Sequence, residues 1–189
     1  RHELYTEKGV KAKIMLPDSS WVWLNSDSKI VYPDRFIGDL REIEFSGEAF
    51  FDIKRDSLHP LIIRTNKNFM IEVLGTSFNL KSYDDDNEAR TTLYSGKLNV
   101  ISKVNNRESE KSKEIITTLS PLESCIIKNN QVTVQSKPEN VADHTAWKDG
   151  KIIFESTPIS EVVKILERWH GVQFVVKDRS VYNYNITAR

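Results

Sequence analysis

Apolar and polar residues alternate in short runs along most of the first two thirds of the chain, and turn residues separate one run from the next. The clearest run contains Ile43 and Phe45, which alternate with two glutamates, and after Gly47 its apolar residues stay on odd positions as far as Ile53. A period of two is typical of a half-buried β-strand. We therefore expect residues 1–136 to form a mainly β domain of short strands, arranged as an all-β sandwich or a β-helix-like stack.

One segment of this domain changes its buried face. From Phe69 to Val73 the apolar residues occupy odd positions, whereas from Leu74 to Leu80 they occupy even ones. Because a strand cannot exchange its faces without an irregularity, the pattern predicts a β-bulge or kink at Leu74-Gly75. Gly75 suits that position because glycine tolerates positive φ.

The pattern changes after a linker that we place at residues 137–146. Thr157 and Pro158 predict the N-cap and first position of a helix, and Gly171 predicts its left-handed C-terminal cap. The apolar residues between them form one helical stripe, which consists of Ile159, Val162, Val163, Leu166 and Trp169. Short strands are expected on either side of this helix, at Ile152 to Phe154, Val172 to Val176 and Tyr184 to Ala188. Residues 147–189 are thus predicted to form a partial βαβ module.

This module is expected to be incomplete. Each side chain of the helical stripe contributes about 1.5–3 kcal/mol when it is buried, yet the predicted sheet that would cover the stripe is narrow. Either more chain follows in the full protein, or a partner supplies the cover. An incomplete sheet also offers an edge for strand addition. We therefore predict a docking edge at Val172 to Val176 or Tyr184 to Ala188, with partner-binding residues Val172, Phe174, Val176, Tyr184 and Ile186.

Composition excludes several classes of partner. Lys plus Arg equals Asp plus Glu, 27 of each, so no net charge attracts nucleic acid. No apolar run approaches the ~18 residues of a transmembrane helix. The chain opens at Arg1 without an initiator Met or a signal peptide, so we expect a fragment or a processed form. Lys103 to Lys113 is charged and poor in apolar residues, which predicts a loop or hairpin tip.

The motifs of common enzymes and metal sites are absent from the sequence. The four histidines are scattered without metal-ligand spacing, and there is neither a nucleophile elbow nor a phosphate-binding glycine loop. Asp84-Asp85-Asp86 with Glu88 lacks the spacing of a calcium loop and is interpreted as a solvated turn. The lone Cys125 is predicted to be a buried thiol. We therefore expect neither an enzyme nor a cofactor.

Two tryptophans leave a second class of function open. Trp21 and Trp23 are two residues apart in a predicted strand, so their rings lie on the same face. Paired rings of this kind can stack on a sugar, which would make the domain a carbohydrate-binding module. The alternative is that the rings cover core residues, since large aromatic side chains fit strands well.

Gly75-Thr76 is the remaining candidate for covalent chemistry. A threonine hydroxyl behind a strained glycine carbonyl can attack it in an N–O acyl shift, which leaves an ester that water hydrolyses. The alternative is a bulge glycine followed by a β-branched strand residue.

Several blocks of the first domain resemble the FecR-type anti-sigma regulators. The most specific are Ser46 to Phe51, which reads SGEAFF, and Leu74 to Asn79, which reads LGTSFN. Leu16 to Ser20 is similar to the LPDGS turn of the family, with Ser19 in place of the glycine, and Leu122 replaces a glycine in a later turn. Ala146 to Gly150 and the unit after it resemble the first half of the C-terminal module of Bacteroidetes members, which is similar to the short N-terminal signalling domain of secretins and TonB-dependent transporters.

The resemblance implies a role in signalling across the cell envelope. The full protein would carry a cytoplasmic anti-sigma segment and one inner-membrane helix before Arg1, and this chain would be its periplasmic part. The signalling domain of an outer-membrane TonB-dependent transporter would contact it, and an extracytoplasmic-function sigma factor would be released. Several regulators of this type cleave themselves at a Gly-Thr bond, for which Gly75-Thr76 is the matching position.

Overall fold

The computed structural model describes residues 1–102, 115–129, 131–136 and 140–189. The loop predicted at Lys103 to Lys113 lies outside these ranges. Strands form about half of the described structure and far exceed the helices, which confirms the mainly β fold class. The first domain contains thirteen of them: β1 (His2–Thr6), β2 (Ala12–Met15), β3 (Trp21–Leu24), β4 (Ser28–Tyr32), β5 (Arg41–Asp52), β6 (Leu61–Thr65), β7 (Phe69–Val73), β8 (Ser77–Ser82), β9 (Glu88–Ser95), β10 (Leu98–Ser102), β11 (Ile115–Leu119), β12 (Glu123–Lys128) and β13 (Gln131–Ser136).

The long strand β5 joins the two halves of this nearly closed sheet. Its first half pairs with β4 and, in parallel, with β6, while its second half pairs with β3 and β8. The change of partners occurs at Gly47, whose φ is +116° and which packs directly against Ser28. Glycine is required there because it alone combines this φ with such a close approach. One apolar core fills the space between the halves, and Phe51 stacks on Phe78 at its centre, with ring centroids 5.0 Å apart.

The predicted kink at Leu74-Gly75 is confirmed, and it is a second crossing between the halves. β7 ends at Val73 in the first half, and β8 begins at Ser77 in the second. The expected reason for the glycine is wrong, because Gly75 does not have positive φ. A Cβ at Gly75 would instead lie 2.4 Å from Cα of Arg55, so glycine is needed for the close approach of two backbones.

Two turns keep a glycine-like conformation without a glycine. Ser19 has φ +70° and Leu122 has φ +67°, both in the left-handed region. The side chain of Asp18 supports the first turn by accepting a hydrogen bond from the amide of Ser20 at 3.0 Å. Both turns therefore hold a residue with a side chain in the conformation that glycine adopts most easily.

The C-terminal module consists of β14 (Phe154–Pro158), α1 (Ile159–His170), a 3₁₀ helix (Arg179–Asn183) and β15 (Asn185–Ala188). The left-handed cap at Gly171 is confirmed, with φ +65°. The predicted N-terminus is shifted, because β14 extends to Pro158, which is itself the N-cap. Part of the predicted linker also has regular structure, since a 3₁₀ helix covers Val141–Asp149. The domain division at residues 136 and 147 stays a prediction.

The predicted strand at Val172 to Val176 is wrong. These residues have no regular structure, and β14 pairs in antiparallel fashion with β15. An alternating segment becomes a strand only when a neighbouring backbone offers hydrogen bonds, and β15 has taken that place beside β14. The amide of Phe174 donates instead to a carboxylate oxygen of Glu167 at 2.9 Å.

Candidate functional site

Helix α1 lies between its own small sheet and the first domain, and its two faces differ in chemistry. Helix α1 packs on β14 and β15, where Val162 of its apolar stripe is buried, while Trp169 at the end of the stripe contacts Lys11 of the first domain. Its other face carries Glu161, Lys164 and Arg168, whose spacing places them in one row. All three side chains contact the first domain. We call this contact region the domain interface.

Arg168 is the centre of the domain interface. Its guanidinium forms a hydrogen bond of 2.8 Å to Asp86, contacts the carboxylate of Asp85, and lies 3.7 Å from the ring centroid of Tyr83. Asp27 adds a third carboxylate, 3.8 Å from Nε. Burial of Arg168 favours its neutral form, but the hydrogen bond and charge of Asp86, together with the smaller effects of Tyr83 and Asp85, outweigh burial and raise its pKa.

The acidic turn at Asp84 to Asp86 is not fully solvated, contrary to expectation. The side chains of Arg168 and Asp86 are only 6% and 7% exposed, whereas that of Asp85 is 63% exposed. A buried ion pair of this kind persists only with good geometry and further hydrogen bonds. The turn is therefore an internal partner for Arg168.

The rim of the domain interface adds polar and cation–π contacts. Lys81 lies 3.2 Å from Glu161, and Lys164 donates a hydrogen bond to the carbonyl of Asp85. At the end of α1, the amide of Gly9 donates to the carbonyl of Arg168 at 2.7 Å. The ammonium of Lys11 lies 3.4 Å from the centroid of one ring of Trp169.

The 3₁₀ helix before the module is attached to the first domain separately. Trp147 is buried and donates from Nε1 to the side-chain oxygen of Asn79 at 3.1 Å. His144 lies between Arg90, 3.2 Å from Nε2, and Thr92, 2.7 Å from Nδ1. Because arginine can only donate, Nε2 must accept and Nδ1 must carry the proton.

His144 is expected to make the stability of the chain dependent on pH. Burial, aided by the positive charge of Arg90, lowers its pKa to about 4, from 6.5 for an imidazole in water, while Asp143 and Glu155 oppose this shift. The unfolded chain therefore binds more protons between these values, so the stabilisation is complete above pH ~6.5 and is lost as pH falls to ~4. The loss amounts to about 3 kcal/mol.

Urea unfolding between pH 4 and 7 measures this loss of unfolding free energy, and His144→Asn should make the unfolding free energy less dependent on pH. An equally steep profile in that variant would contradict this assignment.

Trp21 and Trp23 lie on one face, as predicted, and this face is the outer one. Their ring centroids are 6.5 Å apart, and Phe50 and Tyr94 extend the aromatic row across the sheet. The Nζ of Lys13 lies 4.3 Å and 4.5 Å from the two tryptophan centroids. A sugar that stacked on these faces would have to displace the lysine, so nothing here favours the carbohydrate-binding alternative.

Gly75 and Thr76 lie at a tightly packed crossing of the chain. Thr76 is buried, and its hydroxyl donates to the carbonyl of Lys97 at 3.0 Å. The carbonyl oxygen of Gly75 lies 2.6 Å from the position that a Cβ would take at Gly96. The Gly75-Thr76 peptide bond is thus closely packed against Gly96 and Lys97.

The predicted partner-binding residues lie in the C-terminal module. Val172, Phe174 and Tyr184 are exposed, and Val176 and Ile186 are half-buried. Within the described ranges, β15 pairs with β14 alone, so its other edge has no strand beside it. The module therefore combines an unpaired strand edge with exposed apolar side chains.

The described residues contain no cluster of His, Cys, Asp and Glu suited to a metal ion. Cys125 is buried as predicted, and burial raises the pKa of its thiol to about 12. Among the helices that the structure describes, none has the length and hydropathy needed to cross a bilayer.

Comparison with known proteins identifies the family. The family model described as FecR protein matches residues 2–99, and the model described as FecR, C-terminal matches residues 151–189. The chain belongs to the FecR family. No curated protein matches it. Both FecR-family segments contribute to the domain interface, since Arg168 belongs to the second match and its carboxylate partners to the first.

Solved structures agree with this assignment. A crystal structure at 1.65 Å of a candidate anti-sigma factor from Parabacteroides distasonis ATCC 8503 is 31% identical, with a TM-score of 0.84, and the match covers 100% of this chain and 84% of that one. A second, at 2.50 Å and from the same organism, is 32% identical with a TM-score of 0.83 and coverage of 99% and 83%. The resemblance to anti-sigma regulators is thereby confirmed.

Proposed function

We propose that this chain is the periplasmic sensor part of a transmembrane anti-sigma regulator of the FecR family. It would receive a signal from an outer-membrane TonB-dependent transporter and control the release of an extracytoplasmic-function sigma factor. The sigma factor would bind a cytoplasmic segment, and a membrane helix would join that segment to this chain. The observation that carries the proposal is the C-terminal module, which matches a FecR family model and presents an unpaired edge at β15 beside exposed apolar side chains.

The edge suits the signalling domain of a transporter. An added strand would bond to the free backbone groups of Asn185–Ala188, and its side chains would cover exposed residues such as Phe174 and Tyr184. Charge on these side chains would oppose such burial, because a desolvated charge without a partner is costly.

The test measures calorimetric affinity for purified transporter signalling domains. We expect Phe174→Asp and Tyr184→Asp each to weaken binding by roughly tenfold or more, as aromatic residues at the centre of interfaces do. Ile37→Asp is the matched control, because Ile37 is an exposed apolar residue of the β4–β5 loop in the first domain. Unchanged affinity in both module variants would show that the edge is not the docking surface.

The Gly75-Thr76 bond carries a second hypothesis, self-cleavage. The hydroxyl oxygen of Thr76 would attack the carbonyl carbon of Gly75, the C–N bond would break, and the hydroxyl proton would pass to the freed nitrogen. Water would then hydrolyse the ester to the carboxylate of Gly75 and the free hydroxyl of Thr76. The close packing around this bond, with Gly96 against the carbonyl of Gly75, is the kind of constraint that such a shift requires.

Mass spectrometry of the purified chain tests this reaction. We expect two fragments, residues 1–75 and 76–189, to accumulate in the wild-type protein and to be absent from Thr76→Ala. Thr76→Ser, which keeps the hydroxyl, should still be cleaved. A wild-type chain that stays intact on long incubation excludes the reaction.

A further inference from the structure

The domain interface joins two units that each have their own apolar contacts. In the C-terminal module, Phe154 and Val162 are buried, and the amide of Ile159 donates to the carbonyl of Tyr184 at 3.1 Å. These contacts, together with the pairing of β14 with β15, connect the three elements within the module. Separation of the module would therefore leave its helix and sheet in contact with each other.

The surfaces that meet at the domain interface are mainly charged. Glu161, Lys164 and Arg168 face Lys81, Asp85 and Asp86. Charged groups regain their hydration when they separate. Undocking of such surfaces therefore costs much less free energy than exposure of an apolar core. The pairs at Lys164 and Asp85 are exposed and contribute little. The contact of Arg168 with Asp86 is buried, so removal of either partner leaves an uncompensated buried charge and disfavours docking.

A hinge lies where the module joins the rest of the chain. Gly150 has φ +76°, and a Cβ there would meet nothing within 4 Å. Lys151 to Ile153 have no regular structure, while Trp147 just before them is fixed to Asn79. Rotation at residues 150–153 would move the module, break the contacts of Arg189 with Asp143 and of Glu155 with Asn140, and leave the preceding 3₁₀ helix on the first domain.

We propose that the C-terminal module docks reversibly on the first domain as a folded unit, and that the guanidinium of Arg168 is the latch. The latch is specific for a guanidinium, because one of its nitrogens contacts Asp85 and Asp86, another lies near Asp27, and its carbon lies 3.7 Å from the ring centroid of Tyr83, an arrangement that a single ammonium cannot reproduce. Undocking exposes Asp86 and Tyr83 on the first domain and the charged row of α1. This device does not depend on the identity of any transporter or sigma factor.

The test uses the whole chain with Arg168→Ala and, as a matched control, Arg179→Ala, which removes an exposed arginine of the same module. Docking is measured by small-angle X-ray scattering and by the rate of tryptic cleavage after Lys151. Circular dichroism reports whether α1 persists. We expect the first variant to retain its helix, to expand, and to be cleaved at least roughly tenfold faster at the hinge, since a buried charge pair has been broken. The control should behave as the wild-type chain.

Chemical rescue tests the specificity of the latch. Ethylguanidinium added to Arg168→Ala should restore the compact scattering profile and slow the cleavage, whereas ethylammonium should not. Asp86→Asn should undock in the same way and should not respond to either cation.

Three results would overturn the proposal. Arg168→Ala could stay docked, which would show that other contacts suffice. Both cations could restore docking equally, which would show that the site requires a positive charge and not a guanidinium. Both Arg168→Ala and Asp86→Asn could lose the helical signal, which would show that the module does not undock as a folded unit.

Discussion

Gly47→Ala is expected to destabilise the first domain by about 3–5 kcal/mol, through backbone strain and overpacking together. A Cβ at this position would lie 2.3 Å from Oγ and 2.6 Å from Cα of Ser28. Ser28 cannot turn away, because its hydroxyl bonds to both the amide and the carbonyl of Glu48, at 2.9 Å and 3.1 Å. The change therefore forces apart β4 and β5 where β5 crosses between the two halves of the sheet. Urea unfolding followed by tryptophan fluorescence measures the loss.

Gly38→Ala separates strain from overpacking. Gly38 also has positive φ, +87°, but a Cβ there would meet nothing within 4 Å. We expect it to lose only about 1–2 kcal/mol, the usual penalty of an alanine in the left-handed region. Equal losses of unfolding free energy at the two glycines would mean that Ser28 moves away from the added Cβ without cost. The close packing of β4 and β5 at Gly47 would then not be required for stability.

The periodicity of the sequence predicted which face of a strand is buried, but not which strands pair with each other. The alternation in β5 correctly indicates which side chains are buried, because a period of two follows from strand geometry alone. It does not reveal that the two halves of β5 pair with different strands, since hydrogen-bonded neighbours leave no local mark in the sequence. The change of buried face at Leu74-Gly75 was predictable because it interrupts this period of two. The need for glycine at position 75 was not, because it arises from the close approach of Arg55, which lies 20 residues earlier in the chain.

Val172 to Val176 shows the limit of the same reasoning. Its alternation satisfies the local criterion for a strand, yet Val172 and Phe174 of the expected buried face are each 46% exposed, and no strand of the described ranges pairs with the segment. The pairing of β14 with β15 is a tertiary choice between two similar segments. Local propensity contains no information on which of the two segments pairs with β14.

The domain interface could not be predicted from residue type. The row formed by Glu161, Lys164 and Arg168 has the spacing of a solvated helix face, and a run of aspartates has the composition of a solvated turn. Only the fold brings Arg168 and Asp86 together across 82 residues. The available signal was the presence of complementary charge in two places, which is common on any surface.

Arg41→Met is expected to destabilise the first domain by about 3–5 kcal/mol, because it breaks a buried ion pair and leaves its partner uncompensated. The side chain of Arg41 is 4% exposed, and its guanidinium lies 2.5 Å from the carboxylate of Asp18. It also donates to the carbonyls of His59 and Lys54, at 2.8 Å and 3.1 Å. Arg41 thus fixes the β2–β3 turn and the loop after β5 to the start of β5. Urea unfolding at neutral pH measures the change.

Arg64→Met provides the comparison, since Arg64 lies in the adjacent strand β6 and forms an ion pair of 2.7 Å with Glu42. The two side chains of this pair are 41% and 43% exposed, whereas that of Arg41 is buried. We expect a loss below about 1 kcal/mol there. The double variant Arg41→Met with Asp18→Asn should be more stable than the sum of the single losses implies, because the second change removes the carboxylate that the first leaves unpaired. Additive losses would show that Asp18 is adequately solvated, and that Arg41 acts only through the two carbonyls it bonds.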